Sequence, residues 1–171
     1  SYSSLTHTLP SARGNGEPLS GRFSPPPGAQ FVGLASGETT QKFIVSSNYG
    51  YGFITSFENF LGIKKAGKQL INTDKNASTL PPCALHDAAT DFVVVISSGG
   101  NLLAFPANEL PELDKGKGNK LMQIPPAKLK SGEEYITAVT CVKEGGELTL
   151  FCGQRKLVLS WRDLQAYQGA R

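Results

Sequence analysis

The chain's 171 residues suit one domain, with roughly 70% of the unfolded surface buried at this size. An apolar share of 39% with 19 Gly and 11 Pro argues against long helices and for many short strands, while a net charge of +3 from 17 cations and 14 anions specifies no partner. Three cysteines, Cys83, Cys141 and Cys152, lack the paired spacings of a disulfide framework or zinc site, and there is no apolar run of about 18 residues and no signal-peptide pattern, so a reduced, cytoplasmic setting without a membrane is expected.

From the N-terminus, residues 2–5 read as the end of a strand and residues 9–16 as a turn-rich loop leading to Leu19. Because Ser1 opens directly into strand-like sequence, the chain reads as a fragment cut from a longer protein. Pro25-Pro26-Pro27-Gly28 lacks ladder donors and marks a connector. Residues 30–35 and 42–47 are expected as strands around a polar turn at 36–40, and Asn48-Tyr49-Gly50 turns the chain into a strand over 53–57. A loop at 62–68 then delivers Leu70 and Ile71 as a fourth strand.

Pro81-Pro82 opens a second unit, in which Phe92-Val93-Val94-Val95-Ile96 reads as a strand buried on both faces. Ser98-Gly99-Gly100-Asn101 is a hairpin signal, residues 102–105 return, and Asn108-Glu109-Leu110 suits a helical turn. A loop at 115–120 leads to a strand from Leu121 towards Pro125-Pro126. A third unit has strands at 136–142, 148–152 and 156–161, joined by hairpin turns at 144–147 and 153–155. Cys141 and Cys152 then become diagonal neighbours across the first of these hairpins, too far apart to bridge.

One pattern organises these units. Lys115, Gly118 and Leu121 stand 51 positions after Lys64, Gly67 and Leu70, which stand 51 after Arg13, Gly16 and Leu19, and Gly169 lies one further step beyond Gly118. A period near 50 with four strands per unit is that of a propeller blade. The chain divides into the end of one blade at 1–28, blades at 29–80 and 81–132, and a truncated last blade at 133–171.

Pro106-Ala107-Asn108-Glu109-Leu110-Pro111 followed by Lys115-Gly116-Lys117-Gly118-Asn119-Lys120-Leu121 resembles the repeat of the C-terminal domain of ParC, the gyrase A-like subunit of bacterial topoisomerase IV, and so of the gyrase A / ParC family. Residues 9–19 and Tyr49-Gly50-Tyr51-Gly52-Phe53 fit the same family in order, so the similarity covers essentially the whole chain. The resemblance implies an all-β fold, a β-pinwheel of four-stranded antiparallel blades with a strand exchanged between neighbours, present here as an incomplete fragment. It also implies double-stranded DNA bent around the outer edge of the blades. Further implied partners are ParE, the other subunit of topoisomerase IV, met through the rest of the chain, and a ParC homodimer formed through missing domains. ATP and Mg2+ would act elsewhere in the holoenzyme, with no cofactor in this fragment. The Gln-Arg-Arg-Gly-Gly-Lys-Gly type box of gyrase is not found here, which favours topoisomerase IV, although that box would lie in a missing leading blade.

On this reading Arg13, Lys64, Lys65, Lys68, Lys115, Lys117 and Lys120 occupy equivalent loops on one rim. Cations so placed would track a duplex backbone, releasing counterions as each phosphate is neutralised, while the neighbouring glycines expose N–H groups to phosphate. Aromatic residues do not interleave with them, which disfavours single-strand stacking and leaves DNA curvature as the source of selectivity. The opposing interpretation makes these lysines a solvated surface on a propeller-like protein-interaction scaffold; the gyrase A wrapping domain is a third possibility. His7 and His86 are far apart, Glu133-Glu134 and Asp87/Asp91 have no acid–base companion, and Trp161, Phe57 and Phe105 suit packing between blades. The family's strand-cutting tyrosine belongs to another domain, and none of Tyr2, Tyr49, Tyr51, Tyr135 and Tyr167 has its arginine or carboxylate partners in nearby sequence, so no catalytic residue and no metal site is expected here.

Overall fold

Apolar side chains on the two faces of the first strands enter separate cores. The computed structural model describes residues 1–4, 6–62 and 64–171; Leu5 and Ile63, read from the sequence as part of a strand end and of a basic loop, lie outside them. β1 (Lys42–Ser46) and β2 (Tyr51–Ser56) pair antiparallel, with Ile44 opposite Ile54 and Val45 opposite Phe53. Successive residues point to opposite faces. Ile44 and Ile54 therefore enter one core with Leu85, Val93, Val95 and Phe105, while Val45 and Phe53 enter another with Leu70.

The strands that follow are β3 (Cys83–Ala84), β4 (Phe92–Ser97), β5 (Leu102–Pro106), β6 (Asn119–Lys120), β7 (Ile136–Val142), β8 (Glu147–Cys152) and β9 (Arg155–Ser160). They make three sheets, ordered β3-β1-β2-β6, β5-β4-β7 and β8-β9, and every ladder is antiparallel. β4 is the strand buried on both faces that its apolar run predicts. Val93 and Val95 face the core shared with the first sheet, and Phe92 and Val94 face the core shared with Leu159 and Leu164 of the last unit. Trp161 stacks on Phe92 with ring centroids 4.2 Å apart, so the aromatic packing expected between blades is present there.

Strand exchange is explicit in the first sheet. β6 closes the second lysine loop yet pairs with β2, Gly52 lying opposite Asn119, and β3 crosses from the second proline connector to pair with β1. A parallel contact recurs beside it: Ile54 bridges to Glu112, and Ala104 bridges to Gln168 in the next sheet.

Several sequence expectations are corrected. Residues 30–35 are not a strand, and Leu34 is 91% exposed. Gly33 faces Pro81 and Pro82, neither of which has an N–H to donate, so no ladder can form there. Tyr2, Ser3 and Ser4 carry no assigned strand, although the carbonyl of Ser1 accepts from the N–H of Lys68 at 2.8 Å. The fourth strands shrink to a single bridge at Ile71 and to the two residues of β6, which precede Leu121. The turn at Gly145-Gly146 joins strands of different sheets, because β7 pairs with β4 and β8 with β9.

The cysteine geometry changes accordingly. Cys152 lies opposite Arg155 and Cys141 opposite Val93. The neighbour of Cys141 is Cys83 on β3, both packing at the edge of the same core. Among the described residues the α-helices are short: α1 (Leu19–Arg22), α2 (Pro126–Ser131) and α3 (Trp161–Ala166). α3 begins in a capping box, with the Ser160 hydroxyl accepting from the Asp163 N–H and the Asp163 carboxylate accepting from the Ser160 N–H.

Candidate nucleic-acid interface

The two lysine loops owe their shape to glycines pressed against earlier backbone, Gly67 on Ser1 and Gly118 on Gly52 of β2. Gly67 and Gly118 both adopt left-handed backbone, at φ +79° and +77°. A Cβ on Gly67 would sit 2.7 Å from the Ser1 carbonyl oxygen, and one on Gly118 would collide with the Gly52 carbonyl. Ser1 and Gly52 are themselves one 51-residue step apart, so the sequence period is also a packing period. Gly16 shares the positive φ but has nothing within 4 Å, and Gly169 does not share it. Leu19 likewise departs from the pattern, lying exposed in α1 where Leu70 and Leu121 are buried.

Hydrogen bonds chain the loops together. The N–H of Asn72, just past the first loop, donates to the Gly116 carbonyl at 2.7 Å, and the Gly116 N–H donates to Leu70 at 3.1 Å. At the corresponding place in the first loop, the Ser24 N–H donates to the Lys65 carbonyl at 3.1 Å. Lys65 and Gly116 are again one period apart. The Gly67 and Gly116 N–H groups are both spent inside the protein, on Lys64 and Leu70, which corrects the expectation that these glycines offer them to phosphate.

The seven cations fall into different settings. Arg13, Lys64, Lys65 and Lys115 are exposed, whereas Lys68, Lys117 and Lys120 are half-buried. The Lys117 ammonium lies 3.0 Å from the Asp74 carboxylate and 4.1 Å from the centroid of the Tyr51 ring, so its charge is already matched. Lys120 donates to the Gln123 side-chain carbonyl at 3.1 Å. Among the described residues the other six of the set have no ion pair, and no hydrogen bond or ion pair joins residues 9–16 to either lysine loop. Backbone hydrogen bonds thus tie the segment just past the first lysine loop to the second loop.

Sequence periodicity missed Lys75 and Lys130. They line a groove of about 320 Å³ with Tyr49, Tyr51, Lys120 and Leu129. One period from Lys75 stands Pro126, and one period before Lys130 stands Thr79, so neither has a cationic counterpart to reveal it.

Close to this groove a buried carboxylate fixes the connector. Glu134 accepts from the Ser97 hydroxyl at 2.7 Å, from the Asn101 amide at 2.8 Å and from Lys128 at 3.3 Å. Hydrogen bonds from Ser97 and Asn101, and then Lys128, hold its carboxyl below the ordinary range, while Glu134 raises the Lys128 ammonium.

Comparison with known proteins agrees with this architecture. The family described as DNA gyrase C-terminal domain, beta-propeller, matches residues 41–80 and 91–143. The A subunit of DNA topoisomerase 4 from Pseudomonas aeruginosa is 41% identical over 171 residues, and its counterpart in Escherichia coli (strain K12) is 39% identical over the same length. Each alignment covers 100% of this chain, and the chain spans 23% of the length of either relative. The solved E. coli ParC C-terminal domain superposes with a TM-score of 0.87 at 39% identity, covering 99% of this chain and 69% of that one. A solved DNA gyrase A C-terminal domain shares the fold at 12% identity, with a TM-score of 0.68 over 91% of this chain and 50% of that one.

Proposed function

Since this chain belongs to the DNA gyrase C-terminal domain family of β-propellers, we propose that it is the part of a ParC-type topoisomerase IV protein that grips and bends duplex DNA. It carries no strand-cutting chemistry itself. The duplex lies along the rim formed by the two lysine loops, and its curvature presents crossings for strand passage, decatenation and relaxation by the rest of an ATP-dependent type II enzyme. ParE, a second ParC chain and the chromosome in the cytoplasm are the partners and setting that follow. Topoisomerase IV is preferred to gyrase because the two relatives named above, 41% and 39% identical over 171 residues, bear that name.

The observation that supports this reading is the bond from Asn72 to Gly116, which joins the segment just past the first lysine loop to the second loop, with Lys64, Lys65 and Lys115 exposed and without an ion pair among the described residues. Unpaired cations held in register along a rigid edge suit a polyanion whose phosphates are themselves regularly spaced. An interaction scaffold has no need of that register.

Titration of the protein with labelled duplex DNA is the test. Saturable binding is expected at low ionic strength, and no binding at about 50 mM salt would sink the proposal.

A further inference from the structure

We propose that the groove holding Lys75, Lys120 and Lys130 seats the sugar–phosphate backbone of the same duplex, extending the contact of the second lysine loop to Lys75 and Lys130. This rests on the DNA-binding reading above and adds to it a site that no 51-residue repeat predicts.

The charge pattern is selective. Asp74 lies in the groove but is matched by Lys117, and Lys128, two residues before Lys130, is matched by Glu133 and Glu134. What remains around about 320 Å³ of groove is three ammoniums with no carboxylate partner among the described residues. Like charges brought together repel until an anion enters. The groove walls include Ile124, Leu129 and the two tyrosine rings, and such apolar cover strengthens attraction for a charged group that displaces water.

Its position argues for duplex DNA as the anion. Lys120 belongs both to the second lysine loop and to the groove, and Lys117 of that loop rests on the Tyr51 ring that lines it. The groove therefore continues the rim surface. It is assembled from the turn at 48–50, the segment at 74–76 and α2, which are far apart in sequence, so it exists only in the folded domain. In this arrangement the ammoniums take a phosphate and the Tyr49 ring takes the neighbouring deoxyribose.

Duplex-DNA titrations over a range of salt concentrations, made on the full chain, test this. The double variant Lys75→Gln/Lys130→Gln is expected to flatten the plot of log Kobs against log salt by about two, close to one for each phosphate contact. Lys75→Arg/Lys130→Arg should keep the wild-type slope. Tyr49→Ala should weaken binding at every salt concentration and leave the slope unchanged, because it removes an uncharged contact. Wild-type binding with an unaltered slope in the folded glutamine variant overturns this inference alone. Failure of the wild-type protein to bind duplex DNA overturns it together with the proposed function.

Discussion

The N–H of Asn72 reaches the carbonyl of Gly116 at 2.7 Å, and this bond ties the end of one lysine loop's unit to the middle of the next. Ser24 makes the same kind of bond to Lys65 one period earlier. The consequence is mechanical. The backbone just past the first lysine loop is thereby held against the second loop.

Gly118 should be the most sensitive position in this arrangement. Gly118→Ala combines a left-handed backbone, costing roughly 1–2 kcal/mol, with overpacking against Gly52, costing roughly 1–3 kcal/mol more. Gly16→Ala meets no neighbour and should show only the first cost. Urea unfolding midpoints compare the two. Equal shifts would mean that the packing of the loop on β2 contributes nothing.

Asp74 is expected to restrain DNA binding. It neutralises Lys117, so Asp74→Asn should free that ammonium, tighten duplex binding and steepen the salt slope by about one. By the same argument Lys117→Gln should weaken binding less than Lys115→Gln, whose ammonium has no ion pair among the described residues. An Asp74→Asn protein that binds DNA no better than wild type would remove this role.

Acid should loosen the connector through Glu134. Its carboxyl is held below the ordinary value, so its contribution to stability is complete above an unfolded pKa of about 4.3 and is lost as pH falls through the lower folded value. Glu134→Gln keeps a hydrogen-bonding amide but cannot titrate. Thermal unfolding followed from neutral pH down into the acid range should therefore show a shallower loss of stability in the variant than in wild type; parallel curves would contradict the assignment.

The three thiols should separate by reactivity. Cys152 is exposed at the end of β8, whereas the hydrogen bond with Cys83, followed by burial, pushes the Cys141 thiol far up. The same contact lowers Cys83. Alkylation mapped by mass spectrometry should label Cys152 first and Cys141 last. Early labelling of Cys141 would show that β3 and β7 do not hold it.

Much of the fold is legible because a propeller blade writes the same physical demand at regular intervals. Phe92-Val93-Val94-Val95 had to be buried on both faces, and Gly67 and Gly118 had to meet a backbone carbonyl one period apart, that of Ser1 and that of Gly52. Partnership between strands was less legible. The turn at Gly145-Gly146 has the composition of a hairpin, yet β7 finds its ladder on β4, since local turn chemistry does not encode which strand lies alongside. Residues 30–35 have strand-like composition but face prolines. Of the candidate site, Lys64 and Lys115 could be found by period, whereas the pairing of Lys117 with Asp74 and the placement of Lys75 and Lys130 come from segments with no shared register.

The most direct test of the rim is the salt dependence of duplex binding by wild type and by Lys64→Gln/Lys65→Gln/Lys115→Gln. The wild-type plot of log Kobs against log salt should fall steeply, and the triple variant should fall less steeply by about three while keeping its fold. A wild-type slope near zero, or a triple variant whose slope matches wild type, would contradict the claim that these two loops together carry the DNA.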